Sequence, residues 1–266
     1  MTSHDDLTRW DAAAAAYTQQ VTGTSDSFYR RLAPFLWDRF GEVRDLDVLD
    51  LGCGHGWLAD LLRQAGARVT GIDGSAALLA EAAARYPGIT FTRHDLATGL
   101  PRPRARWPER SLVLPPALPP VLPPAQYDRI VSHMVLMDIP DLDTLMADIA
   151  SSLRPGGVMV FSILHPAFFS RAIVDEGPGK ERYRKVTGYL EPETRWIESF
   201  GGHQHYHRPL SWYVDLVCRN GLVVTGLHEP PTLPSTDIPV YQWSDYQRWF
   251  STIPTMLAVS CRKSGM

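Results

Sequence analysis

Cysteine is scarce. Cys53, Cys218 and Cys261 are the only three in 266 residues; with no CxxC pair and an odd total they build neither a disulfide framework nor a zinc knuckle. A reducing, cytoplasmic setting is the expectation. Basic charge is not in excess either: 26 Lys and Arg against 29 Asp and Glu leave a formal net charge of −3. That balance disfavours a partner held mainly by phosphate neutralisation, so no nucleic-acid partner is expected. Long apolar runs are missing as well. The stretch from Gly157 to Leu164 is among the longest largely apolar ones, far short of the roughly 20 residues that cross a bilayer, so no membrane partner is expected. The run Ala12 to Ala16 follows Asp5, Asp6 and Asp11 rather than a basic segment, which reads as an exposed helix and not as a signal peptide.

What is present is an alternation of two periodicities. Asp47 to Leu51, Arg68 to Ile72, Ile89 to Arg93, Tyr127 to Ser132 and Val158 to Leu164 read as strands, and Trp57 to Gln64, Ser75 to Arg85 and Leu142 to Leu153 as helices between them. Such βαβ alternation predicts an α/β fold with a doubly wound, mostly parallel sheet covered by helices. Pro155-Gly156-Gly157 is expected to stop the last of these helices and turn the chain into its strand. Two helices, near Asp5 to Gln19 and Asp26 to Phe40, precede this core; Leu210 to Arg219 reads as a helix and Leu222 to Leu227 and Met256 to Cys261 as strands after it.

The expected organisation is one domain: an N-terminal helical cap over 1–42, a ligand-binding core over 46–164, a lid and substrate region over 165–208, and a C-terminal helix with strands over 209–264. A Pro-rich insert over 101–124 interrupts the core, and its proline density excludes a regular helix or an interior strand. Pro166 to Tyr206 has no clear periodicity.

The motif that carries chemistry is VLDLGCGHGW, Val48 to Trp57, an apolar strand running into a glycine-rich turn. Glycines there permit close approach of a ligand to the backbone, and the following helix offers free N–H groups. A dinucleotide fingerprint spaces its glycines GxGxxG, and its third glycine would fall on Trp57; the glycines present are Gly52, Gly54 and Gly56. Asp50, two residues before the first glycine, would repel a pyrophosphate and pair with an ammonium group. Asp73 ends the second strand, where an acid can accept from both ribose hydroxyls, and Asp95 follows the third, where an adenine amino group could be read. An ammonium, a ribose and an adenine at three successive strand ends describe S-adenosylmethionine (SAM). Cys53 is expected in the turn for its small size.

At these residues the sequence resembles the class I SAM-dependent methyltransferases, in the small-molecule branch typified by the ubiquinone and menaquinone biosynthesis enzymes. The matching segments are VLDLGCGHG, VTGIDGS, RHDL, YDRIVSHMVLMDI and LRPGGVMVFSILHP, with a weaker match from Tyr206 through Gly221 to Pro230. The resemblance implies a Rossmann-like seven-stranded sheet with one antiparallel strand. It also implies that Asp50, Gly52, Cys53 and Gly54 hold the methionine moiety, Asp73, Gly74 and Ser75 the ribose, and Asp95 with Leu96 the adenine. Ser132, His133 and Met134 would line the floor beside the methyl group, and Tyr17 would reach the methionine carboxylate. The Pro-rich insert departs from the usual pattern.

For the methyl acceptor the expectation is a small molecule, apolar or aromatic, most readily methylated on oxygen. N- or C-methylation, a NAD-dependent oxidoreductase and a non-catalytic SAM-binding module are the rival readings. A hydroxyl acceptor benefits from a base near neutrality. His165, at the end of the fifth strand, and His133 are the candidates; each has an alternative role, local backbone bonding for His165 and cofactor lining for His133. Phe168, Phe169, His205, Tyr206, His207 and Arg208 are candidates for the substrate wall. In an extended chain His203, His205 and His207 would share one face, but no neighbouring carboxylate completes a metal site, and none is expected. Base-modifying methyltransferases carry Asp or Asn before Pro-Pro-aromatic after the fourth strand, where this chain has Ser132-His133-Met134-Val135.

Overall fold

The computed structural model describes residues 3–21, 25–101, 126–169, 172–177, 181–234 and 238–265. Apart from Pro101, the Pro-rich insert expected over 101–124 lies outside the described residues.

A seven-stranded sheet forms the centre. In chain order its strands are β1 (Asp47–Leu51), β2 (Arg68–Asp73), β3 (Thr90–Arg93), β4 (Tyr127–His133), β5 (Leu153–Leu164), β10 (Leu222–His228) and β11 (Met256–Lys263). Across the sheet they run β10-β11-β5-β4-β1-β2-β3. β1 pairs parallel with β2 and β4, and β2 with β3 and β4 with β5 are parallel too. β11 is antiparallel to both neighbours, β5 and β10. It is the one antiparallel strand of the expected fold class.

The helices are α1 (Ser3–Gln20), α2 (Ser27–Phe40), α3 (Trp57–Gln64), α4 (Ala76–Arg85), α5 (Asp143–Ser152), α6 (Leu210–Arg219) and α7 (Asp245–Phe250). α3, α4 and α5 are the crossovers of three βαβ units. Because helices cover both faces, the central strands turn apolar side chains to both: Leu49, Leu51, Ile130 and Phe161 are fully buried toward α5 and α6, and Val48, Val131 and Val160 toward α2 and α3. Each buried side chain of this size stabilises the fold by roughly 1.5–3 kcal/mol. From β1 the order runs one way to β2 and β3 and the other way to β4 and β5. That reversal opens a crevice beyond the strands' carboxyl ends, where ligands of such sheets bind.

Three local outcomes differ from the sequence reading. First, α5 ends at Ser152, ahead of Pro155-Gly156-Gly157, because Leu153 is already extended (φ −69°, ψ 137°) and the residue before a proline disfavours helix. Leu153 pairs with Tyr127, the register then shifts, and pairing resumes at Val158 with Arg129, so the Pro-Gly-Gly run is an irregularity inside the strand.

Second, the segment after β5 contains two hairpins, β6 (Ala172–Asp175) with β7 (Arg182–Lys185) and β8 (Glu193–Ile197) with β9 (His203–His207). Their strands hide from a hydrophobicity pattern because the residues β9 buries are histidines, alternating with Gln204 and Tyr206. Third, α7 starts with a capping box between Ser244 and Gln247, an S-x-x-Q signal that is legible in the sequence. No described helix is long and apolar enough to cross a membrane.

Candidate cofactor and acceptor site

The turn after β1 needs its glycines. Gly52 has φ +69°, and a Cβ there would lie 2.3 Å from the Val135 side chain; Gly54 has φ +54° and faces the Tyr17 ring. Backbone N–H groups of Gly52 and Cys53 donate to the Ile72 carbonyl at 2.7 and 3.0 Å. Asp73 completes the tie: its Oδ2 accepts from the Gly54 N–H and its Oδ1 from the Ser75 N–H, both at 2.8 Å. Burial pushes its carboxyl above the ordinary carboxylate range. Ser75 caps α4 by accepting from Leu78 N–H, and its hydroxyl donates to Asp11 at 2.6 Å, which docks α1 on α4. Asp95 accepts from Ala97 N–H at 2.9 Å and opens the short turn Leu96–Thr98.

These turns edge a cavity of about 450 Å³. Of the residues singled out in the sequence, Tyr17, Gly52, Gly54, Asp73, Gly74, Asp95, Leu96, His133, Met134, Phe169 and His203 line it. The rest do not, and each has a physical reason.

Asp50 lies beneath the turn, 2% exposed, with its carboxyl bonded to the Ala59 backbone and Oδ2 without a hydrogen-bond partner. Burial first, then the nearby Asp73, push it up to about 7. The reading that it faces an ammonium directly is therefore corrected in position: it supports the start of α3 from behind. Cys53 is buried beside it, and burial raises its thiol well above the usual range, which removes it as a nucleophile. Ser132 is fully buried on β4, and Ser75 is consumed in capping.

His165 is also corrected. It is 4% exposed; its Nδ1 accepts from Ala167 N–H at 3.1 Å, and its Nε2 is 2.8 Å from Glu229 Oε1. Both ring nitrogens are occupied by protein groups, and Phe168 packs on its ring at 4.8 Å, so neither residue reaches the cavity. His133 does line it. Its Nδ1 shares a 2.7 Å hydrogen bond with Ser162 Oγ. Burial, with the Arg31 guanidinium nearby, lowers it to about 3. It is a neutral, weakly basic imidazole.

The expected shared face of His203, His205 and His207 is present, and all three are buried. Only His203 lines the cavity. His207 Nε2 is 2.9 Å from the Tyr189 carbonyl, and the Tyr206 hydroxyl is 3.2 Å from Asp6 Oδ2. Arg208 does not point at a substrate carboxylate. Its Nη2 donates to the Ile139 and Pro140 carbonyls, each at 2.7 Å, while the guanidinium stacks on Trp212 at 4.8 Å. It clamps the loop that follows β4.

The sequence reading expected a helical cap over 1–42 but not which of its residues reach the cavity, and it missed one acid. Trp10, Phe28, Ile197 and Phe200 line the cavity from α1, α2 and the β8–β9 hairpin, and only tertiary contact brings them there. Asp138 also lines it, 3.8 Å from His203 Nε2 and 3.9 Å from His205 Nδ1. It is the carboxylate that the histidine stretch lacked locally. Among the described residues no group has the arrangement of a metal site.

A parallel sheet with one antiparallel strand second from its edge, and a glycine turn tied to an acid at the next strand end, define the Rossmann-like methyltransferase architecture. Residues 22–224 match the family model described as a methyltransferase domain, and the chain belongs to that family. It is 32% identical over 136 residues to a ubiquinone biosynthesis O-methyltransferase of Bordetella avium, covering 50% of each chain. It is 34% identical over 118 residues to a trans-aconitate 2-methyltransferase of Delftia acidovorans, covering 44% of this chain and 37% of the relative. The chain thus spans half or less of the length of these two relatives. A SAM-dependent methyltransferase of Mesorhizobium loti superposes with a TM-score of 0.68 at 26% identity, over 88% of this chain and 98% of that one.

The residues present fit SAM. Gly52 and Gly54 put bare backbone on the cavity wall, and a Cβ at Gly52 would strike Val135. Asp73 retains lone pairs beyond those its backbone donors use.

Proposed function

We propose that this protein transfers the methyl group of SAM to a small molecule, and that the acceptor is apolar or aromatic and methylated on oxygen. The observation that carries the reading is the convergence of the Gly52–Gly54 turn, Asp73 and Asp95 on one cavity whose other walls are largely apolar and aromatic. Bound SAM supplies an electrophilic methyl on a sulfonium. The Gly52 and Gly54 backbone with Tyr17 would hold its methionine portion, Asp73 its ribose hydroxyls, and Asp95 with Leu96 its adenine.

The chain's own contribution is alignment and exclusion of water, which suffice for much of an in-line displacement. Trp10, Phe28, Phe169 and Phe200 close the acceptor side, and Met134 with His133 form the floor. The neutral His133 fits a role beside the cofactor better than that of a base. The names of the Bordetella and Delftia relatives support a small-molecule acceptor, and the Bordetella name supports oxygen. A cytoplasmic setting belongs to the same proposal.

Calorimetric titration with S-adenosylhomocysteine (SAH) and with NADH tests it. SAH binding without NADH binding is expected, and the reverse would overturn the reading in favour of an oxidoreductase. Incubation with methyl-labelled SAM and a metabolite extract separates an enzyme from a binding module. Label is expected in a small, organic-extractable product, and its absence alongside SAH binding would favour the module.

A further inference from the structure

The cavity contains a polar group of side chains for which SAM recognition has no use. Asp138 ends the short turn Leu136–Asp138 after β4, and His203 opens β9 across from it. Their nearest polar atoms are 3.8 Å apart, and His205 Nδ1 is 3.9 Å from the same carboxylate oxygen. Neither separation is a hydrogen bond. Asp138 Oδ1 is buried with no hydrogen-bond partner among the described residues. Leaving such an atom unsatisfied costs roughly 1–3 kcal/mol, so the arrangement has the form of a site waiting for a polar atom from outside the chain. The histidine and the acid are also held rigidly. Trp10 packs on the His203 ring at 5.0 Å, and Arg208 grips the carbonyls of Ile139 and Pro140 next to Asp138. Arg208 is a positioning residue here.

We propose that Asp138 and His203 form the anchor for the methyl acceptor, and that the group they grip is an uncharged hydroxyl on an otherwise apolar molecule. This rests on the methyltransferase reading above and names the substrate class of that site. An oxygen atom can lie within hydrogen-bond distance, about 2.8 Å, of both side chains at their observed separation. It would donate to one and accept from the other. The walls of the same cavity include Met137, Ile139, Phe169 and Phe200, which suit an apolar skeleton.

The burial of the pair favours a neutral group over an ammonium. Burial holds the Asp138 carboxyl well above its ordinary range. Burial likewise lowers His203, and it lowers His205 to about 3 with help from Arg195, His207, His203 and Arg208. Burial thus works against charge on all three groups, which favours a hydroxyl partner.

The test uses SAH-loaded protein and three probes of one shape, 2-naphthol, 2-methylnaphthalene and 2-naphthylmethylamine, with binding read by calorimetry. In the wild type 2-naphthol is expected to bind about tenfold tighter than 2-methylnaphthalene, a ratio one good hydrogen-bonded group can supply. Asp138→Leu and His203→Phe should each bring that ratio close to one while SAH affinity stays unchanged. If Asp138→Leu loses SAH affinity through misfolding, the smaller Asp138→Ala, which also lacks a polar group, takes its place, and the ratio should fall there too. No hydroxyl preference in the wild type, an unchanged preference in both variants, or tighter binding of the amine would each overturn the proposal. Failure of the wild type to bind SAH would instead remove the cofactor reading, which keeps the two failures distinct.

Discussion

The backbone N–H of Gly54 donates a 2.8 Å hydrogen bond to Oδ2 of Asp73, so the glycine turn after β1 and the end of β2 are a single unit. The acid that is proposed to hold a ribose also fixes the loop that is proposed to hold the methionine portion. Its other oxygen accepts from Ser75 N–H, which extends the unit to the start of α4.

Asp73→Ala therefore removes acceptors from two backbone donors as well as from the ribose. The expected outcome is a loss of SAH affinity of at least about tenfold, together with a stability loss of roughly 1–3 kcal/mol from the unpaired N–H groups. Calorimetry and thermal unfolding measure the two effects separately. Wild-type affinity in the variant would withdraw the assignment.

Gly52 and Gly41 both have positive φ, but Gly41 has nothing within 4 Å of a built Cβ, whereas Gly52 meets Val135 at 2.3 Å. Gly41→Ala is expected to cost only the backbone strain of a region that glycine alone occupies readily (φ 62°, ψ −148°), roughly 1–3 kcal/mol. Gly52→Ala adds a steric conflict inside the site and should cost at least about twice as much. Urea unfolding of the two variants gives the comparison. Equal losses would mean that Val135 yields freely.

His165 separates a structural role from a catalytic one. Because both ring nitrogens are engaged, by Ala167 N–H and Glu229, His165→Ala should lower the unfolding midpoint by the equivalent of about 1–3 kcal/mol. SAH affinity, and methyl transfer measured below the lowered midpoint, are expected to stay near wild type. A large fall in transfer rate without a change in midpoint would return His165 to the role of base.

Much of the sheet was legible because its information is local. Val48 to Leu51 is apolar enough to be buried on both faces, and the glycines and Asp73 that follow lie at fixed short distances from strand ends. The same locality explains why Asp73 and Asp95 could be placed at one crevice before any coordinates. Asp138 and His203 were not legible as a pair, since they meet only when β9 folds back over the loop after β4. His165 was misread because its position at a strand end is right for a site while its ring turns toward Glu229, a partner from beyond β10. Asp50 shows the converse: its spacing was informative, but the depth of its side chain was not.

That depth gives Asp50 a pH signature. Its carboxyl is pushed from an ordinary 3.8 up to about 7 in the folded protein, so between those values the native state binds more protons than the unfolded chain. Stability then falls as pH rises, since the slope follows the difference in protons bound by the two states. The contribution is fully present below about pH 4 and is lost progressively as the pH rises through about 7. Asp73 and Asp138 are shifted in the same direction by burial, while the lowered His133 and His205 give a slope of the opposite sign, so the wild-type curve sums all of them. Asp50→Asn isolates one share, because an amide has the shape of the protonated acid and does not titrate. Urea unfolding at intervals from pH 4 to 8 should give the variant a shallower decline than the wild type, with the difference confined to pH 4–7. Parallel curves would mean that Asp50 stays ionised in the folded state, and that its buried oxygen has a compensating partner.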